Sequence, residues 1–506
     1  MHHRFATRGT LGLGLAAGLA ALISQAEAQT LRVSNLNDPP NKGDPTVSLS
    51  YQHTYTFEAL FDALTTVSGD GKAGPSLASG WTNKDPLTWE FKLKPNIKFH
   101  SGAAFNADSI VFAVKNLQSD DQKKFGASVY GSVRHVVDAT KVDDLTVVIK
   151  TDRPAPILPN EIAAFRIVDG KVWTDLGRDK FGFNPSGTGP FKVTSWDNLK
   201  AEMTRADTGP RGAPKVGGVQ MYFMPEAATR VQAFLAGSVD IAMGIPSDSE
   251  KRVEAAGGKI NTGTAPSVAI LVFNQSKGGF TTDKRVRQAF NYAIDKNFTK
   301  TLLGGHAKPA GQPAASSVNG FQADVNAYPY DPDRAKKLLA EAGFPNGLKT
   351  TAEIVTNNAD LTNVYQQVAQ DLSKVGVTLE LKIISLADLS ARVTGTKPFE
   401  AEMHVMNYGS NPSNDMMRSI NAFHSCAAPQ KWTCIPEAED AIKAANSEFD
   451  PVKRMTHLRR IAQLYNDAAP QLFLYEQYEL DATSPKVANY KNENWRINWH
   501  QIELSR

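Results

Sequence analysis

Cysteine is nearly absent from this chain: 506 residues hold two, Cys426 and Cys434. Their spacing fits neither a Cys-x-x-Cys redox motif nor a zinc knuckle. In an oxidising compartment they read as one local disulfide. An excess of either charge is also missing. Lys and Arg total 55 against 52 Asp and Glu, a net of +3, without the concentrated basic patch of a nucleic-acid binder. Beyond residue 28 no apolar run approaches the roughly 20 residues that a spanning helix needs. The signatures of catalysis are lacking too: no phosphate loop ending Gly-Lys-Ser/Thr, no Gly-x-Ser-x-Gly elbow and no His-Glu-x-x-His helix.

Partial motifs fail on physical grounds. Gly69-Asp70-Gly71-Lys72-Ala73-Gly74 matches the dinucleotide fingerprint by letters, but Pro75 and Gly80 follow it. No long helix can start there to hold a pyrophosphate, so the stretch is expected to be a turn between a helix and a strand. Asp143 and Asp144 are neighbours on a strand and point to opposite faces, so they cannot flank one bond. His404 and His424, with Met403, Met406, Met416 and Met417, are the only hint of a soft metal site, and Met at such spacing usually packs. No enzyme signature survives among these motifs.

A leader is present. His2, His3, Arg4 and Arg8 precede an apolar run from Leu11 to Ile23, and Ala26-Glu27-Ala28 offers small residues at both positions read by a signal peptidase. Residues 1–28 are therefore expected to be a signal peptide cut near Ala28, leaving an exported chain. No Arg-Arg pair precedes the run, and no Cys lies near the cut, which favours general secretion without a lipid anchor.

The exported length exceeds what one core supports, so at least two lobes are expected. Thr88–Leu93 and Leu145–Lys150 alternate with period two and read as strands, as does Val377–Ile383; Gln471–Tyr475 reads as a buried strand. Helical stripes run from Asp283 to Leu303 with Thr282 as cap, after Asp331-Pro332, from Leu361 to Val375, and after Asp450-Pro451 through Met455, Leu458, Ile461, Ala462 and Tyr465. Helices followed at once by strands argue for α/β lobes with covered sheets.

Several segments, in order along the chain, resemble one family. They are Phe57-Glu58-Ala59-Leu60-Phe61-Asp62, Pro75-Ser76-Leu77-Ala78, the long run from Trp89 to Gly102, and Phe105-Asn106-Ala107-Asp108. Gly187-Thr188-Gly189-Pro190-Phe191, Ala233-Phe234-Leu235-Ala236-Gly237, Arg285-Val286-Arg287-Gln288-Ala289-Phe290 and Tyr330-Asp331-Pro332 complete the series. The chain resembles the extracytoplasmic solute-binding proteins of the peptide/nickel class, the receptor subunits of ABC importers. The resemblance implies a two-lobed periplasmic binding protein fold of type II-like, large-cluster form. Residues 29–55, 171–265 and 471–506 would form the first lobe, 56–170 an extra subdomain of it, and 266–470 the second lobe. It also implies a monomer without a cofactor that works in the periplasm. Such a receptor closes on a peptide-like or other small solute and hands it to permease subunits in the inner membrane.

The ligand is harder to read. In peptide-binding members an Asp in a Gly-Asp-Pro-like segment pairs with the ligand's amino group, and Asn411 stands in the matching place here. A neutral amide cannot neutralise a buried ammonium. Dipeptide receptors also hold the carboxylate with an Arg near the position of Ile354–Asn358, a stretch without one. Both departures argue against a simple free dipeptide and for a blocked peptide, an opine-like conjugate or a small oligosaccharide. Asp415 offers a shifted carboxylate, which keeps peptides open. The expected lining is Tyr408, Asn411, Asp415, Thr356 and Asn357, with Trp432 beside the disulfide. A metal-chelate receptor on the same scaffold and a secreted hydrolase are the competing readings.

Overall fold

A computed structural model describes residues 29–356, 359–430 and 432–505. The leader, residues 1–28, and Asn357 lie outside the described residues. One sheet runs through the molecule in the order Val377–Ile383, Leu348–Ile354, Met403–Gly409, Lys259–Phe273, Gln471–Thr483, Ile241–Ala242, Thr30–Asn35, Gly218–Phe223, Lys200–Arg205, Phe191–Trp196. The two central strands are its spine. At 15 and 13 residues they are long enough to serve both halves, since a strand advances about 3.3 Å per residue. Lys259–Thr264 pairs with Tyr478–Thr483 on one side, and Val268–Val272 pairs with Gln471–Glu476 on the other. Between them the register shifts. Pro266 lies in that gap and has no N–H to give to a ladder.

Each half of the sheet has a parallel part. Thr30–Asn35 lies parallel to Gly218–Phe223 and Ile241–Ala242, and Leu348–Ile354 lies parallel to Val377–Ile383 and Met403–Gly409. Parallel strands need cover on both faces, and separate apolar cores supply it. Leu31, Val33, Phe57, Phe191, Val219 and Trp499 belong to the core of the first half. Phe273, Phe290, Leu339 and Val364 pack on one face of the second half, and Val268, Tyr408, Leu458 and Phe473 on the other. A third unit has its own core, built on the antiparallel sheet Ala78–Asp85, Thr88–Leu93, Thr146–Thr151, Val136–Asp143. Trp89, Phe91 and Leu93 face inward there as their alternation predicts.

Local signals in the sequence are mostly obeyed, and the departures have causes. Asp331 and Asp450 cap helices Pro332–Glu341 and Pro451–Ala468 as expected. The helix after Thr282 is capped by Asp283 instead, whose carboxylate accepts from Arg285 N. It stops at Ala293, because Ile294 is extended and the Asp295 N–H goes to Asp371. The glycine-rich stretch at 69–74 is a hairpin turn between strands Thr65–Val67 and Ala73–Pro75, not a helix-to-strand link. In helix Pro451–Ala468 the inward position is Arg454, while Met455 is exposed.

Cys426 and Cys434 are disulfide-bonded. The loop they close is tied to helix Pro436–Ala445 by Cys426 N donating to Glu439. Removing this cross-link frees a short loop in the unfolded chain, so Cys426→Ser is expected to cost about 2–3 kcal/mol on a chain-entropy count. Urea unfolding of the variant, and of the native protein with and without reductant, checks this. An unchanged midpoint in both would refute it.

Candidate functional site

In open α/β sheets ligands sit beyond the carboxyl ends of the parallel strands. Here those ends converge from both halves on the gap in the central ladder. The first half contributes Leu36 and Asn37 after Asn35, with Met243 and Gly244 after Ala242. The second contributes Val355 and Thr356 after Ile354, with Ser410 and Asn411 after Gly409. Ser410 N donates to Pro266 O at 2.8 Å, so the loop after Gly409 starts at the crossing itself.

The halves are clasped on both flanks of this crossing. On one flank the Asn160 amide donates to Gly71 O (2.7 Å) and Ser413 O (3.0 Å), and Arg496 donates to Pro412 O (3.3 Å). Gly71 has φ +80, and a Cβ there would lie 3.0 Å from Asn319 N and 3.1 Å from Asn414 O. Only glycine allows so close an approach. On the other flank Ser247 donates to Asp360 at 2.8 Å, and the Tyr478 hydroxyl reaches the same carboxylate at 3.2 Å.

Two buried ionisable groups without an opposite charge in contact lie at the crossing. Glu479 and Asp481 sit two apart on Gln471–Thr483 and so share one face. Asp481 is satisfied by Gly244 N (2.9 Å), the Tyr490 hydroxyl (2.7 Å) and the Asn492 amide (2.8 Å). Glu479 is not. The Trp495 indole N–H faces it and favours its charged form, but no well-aligned hydrogen bond joins the two. Arg230 acts on it from nearby but spends its guanidinium on the carbonyls of Met243, Met224, Pro225 and Gly244. Burial, and then the Asp481 charge, push the Glu479 carboxyl well above the usual range. Tyr51 stacks on Trp495 at 4.4 Å, giving the same wall an aromatic plate.

Arg418 is the opposite charge. Its Nη1 donates to Gly409 O at 3.2 Å and its Nε is buried without a partner. Burial pushes its pKa down to about 10, and among the described residues no carboxylate acts on it. Ser410 Oγ, Asn411 Oδ1 and both amide atoms of Asn414 are likewise buried without partners. Native interiors leave few such atoms; a run of them within nine residues marks a surface built to take hydrogen bonds from something else.

The model for "Bacterial extracellular solute-binding proteins, family 5 Middle" matches residues 72–430. The chain belongs to that family. It is the substrate-binding subunit of a peptide/nickel-type ABC importer, with the two-lobed fold of periplasmic binding proteins. The glutathione-binding protein GsiB of Pectobacterium atrosepticum is 28% identical over 430 residues, covering 81% of each chain. The dipeptide-binding protein of Escherichia coli K12 is 25% identical over 518 residues, 95% of this chain and 96% of that one. Among solved structures, CtaP of Listeria monocytogenes superposes with TM-score 0.84 at 21% identity, over 95% of this chain and all of that one. Helicobacter pylori DppA in complex with the peptide STSA superposes at 0.79 and 19%, over 95% and 98%.

The positions expected to line the site in this family-5 member are only partly brought together. Asn411 is at the crossing, 7% exposed, with its carbonyl oxygen unsatisfied. Thr356 is exposed at the end of its strand. Tyr408 is not on the cleft. Alternation along Met403–Gly409 turns it into the core against Phe473 and Tyr465, with its hydroxyl donating to Gln471 at 2.6 Å. Asp415 is fully buried, and its charge is already used by a two-pronged contact with Arg454 (2.7 and 2.9 Å) plus donors from Asn319 and Met417 N. It cannot also serve an ammonium. Trp432 packs among Phe399, His404 and Phe423, an anchor for the disulfide loop.

The His/Met hint dissolves in the same way. His404 stacks on Phe399 at 3.7 Å, and burial pushes His424 down to about 3. Among the described residues no three of His, Cys, Asp and Glu gather as a metal set, and no helix is long and apolar enough to cross a membrane. Sequence reasoning missed Glu479 and Arg418. The available signal was Tyr478-Glu479-Leu480-Asp481, acids on alternate positions of a strand otherwise rich in buried apolar residues.

Proposed function

We propose that this protein captures a small peptide-like zwitterion between its lobes in the periplasm and delivers it to an inner-membrane permease as a monomer. The observation that carries this is a pair of buried ionisable groups without an opposite charge in contact, Glu479 on the crossing strand and Arg418 beyond Gly409. Glu479 meets the cost of burial by holding its proton; a ligand's ammonium would let it ionise, and the same ligand's carboxylate would pair with Arg418. Names among the relatives, glutathione-binding and dipeptide-binding, point to solutes of this kind. Two charges at positions other than those sought in the sequence reopen the peptide class that Asn411 argued against. In this reading the first lobe is 29–55, 171–265 and 471–506, with the subdomain 56–170 and the second lobe 266–470. The leader is removed near Ala28.

Native mass spectrometry of the protein purified from its own host's periplasm tests the proposal against the denatured mass. The expected result is an excess mass lost on denaturation, whose compound carries both an amine and an acid group. A neutral sugar in that fraction, or a compound altered chemically by the protein, would reject it.

A further inference from the structure

A cavity lies beside the crossing, on the side of the first half. It has a volume of about 430 Å³ and is lined wholly by residues within 58–211 and 491–501, so nothing from the second lobe enters it. Its walls carry five cations, Lys94, Arg166, Arg211, Lys491 and Arg496, against three carboxylates, Glu58, Asp62 and Glu493. The carboxylates do not satisfy the guanidiniums. Glu58 is shared between Arg496 (3.4 Å) and Arg166 (3.8 Å) and also accepts from Ile497 N. Asp62 faces Arg211 at 2.9 Å and takes the Thr188 hydroxyl.

Arg166 is the decisive residue. It is 6% exposed, and its Nη1 is buried with no partner among the described residues. Arg496 Nε and His500 Nδ1, on the same walls, are buried and unpartnered as well. Burial lowers the Arg166 pKa to about 10; Glu58 counters this, and the neighbouring Arg496 and Arg211 charges push the same way as burial. Even so, the group stays charged at neutral pH. Arg211 also gives Nη2 to Glu58 O and Phe61 O. Three guanidiniums close enough to repel line this cavity, with Arg166 Nη1 and Arg496 Nε left without partners beneath its walls, and such a cluster favours planar or tetrahedral oxyanions held by charge-assisted hydrogen bonds.

We propose that this cavity is a second binding site, separate from the interlobe site, for a small oxyanion of the carboxylate or phosphate type. Arg166 is its floor, and Arg496, Arg211, Lys94 and Lys491 add charge. Isothermal titration calorimetry of the purified protein, in chloride buffer at constant ionic strength, tests it with inorganic phosphate, sulfate and succinate as probes. The expected result is saturable binding of at least one probe at one site per chain, weakened at least tenfold by Arg166→Gln or by the more exposed pair Lys94→Gln/Lys491→Gln. A response to succinate alone assigns a carboxylate, and one to phosphate or sulfate a tetrahedral anion. No saturable heat with any probe, or binding unchanged in both variants, overturns the proposal. The Lys pair keeps the test decisive if Arg166→Gln fails to fold.

Discussion

Glu479→Gln is expected to lose the ligand and gain heat stability at the same time. The carboxyl is buried beside Asp481 and its pKa is raised by both, so the folded chain holds a proton there more tightly than the unfolded chain. Its contribution to stability is complete below the ordinary carboxylate value of about 4.3 and is lost as pH rises through the higher folded value. Glutamine is neutral throughout and escapes that loss. The variant should therefore melt near the native temperature at pH 4 and progressively above it toward pH 8. Ligand capture moves the other way. Removing one member of a buried charge contact costs about 2–5 kcal/mol, a loss of roughly 30-fold or more. Arg418→Gln should show a comparable loss of affinity for the same compound. Melting curves at pH 4 and 8, with calorimetry using the compound released from the native protein, check both halves. A Glu479→Gln protein that binds normally, or melts lower at pH 8, would remove Glu479 from the site.

Asp415→Ala is expected to be the most damaging single change in the second lobe, at about 3–5 kcal/mol. Asp415 is fully buried and holds Arg454, itself 5% exposed, through two parallel contacts. Truncating the acid strands a guanidinium inside helix Pro451–Ala468. The double change Asp415→Ala/Arg454→Met should recover much of the loss, because no charge is then left alone. Urea unfolding of the two variants separates this from a ligand-binding role. If the single variant keeps native stability and only ligand affinity falls, then Asp415 serves the ligand after all.

These two residues also show what the sequence could and could not reveal. Strand alternation, helix caps and the order of family segments carried the fold, because each depends on neighbours a few residues away. Asp450-Pro451 announces its helix from its own chemistry, and Trp89-Glu90-Phe91 its strand. The site depends on which distant residues cancel one another's charge, and adjacency says nothing about that. Asp415 looked available until Arg454, thirty-nine residues later, was found across from it. Tyr408 lies in the stretch matched to the family's ligand segment, yet period two sends it to the other face. Glu479 falls beyond Gln471–Tyr475, the stretch read as a strand, and its neighbours Trp495 and Gly244 are distant in sequence.

The paired central strands have a mechanical consequence. An antiparallel ladder cannot slide, because a one-residue slip breaks every bond and reverses every side chain. It can bend where its register is already interrupted, and here that is between Thr264 and Val268 and again between Ala269 and Ile270. Any rotation of one half against the other would be taken up there, and the flanking contacts Asn160–Ser413 and Ser247–Asp360 would have to open with it.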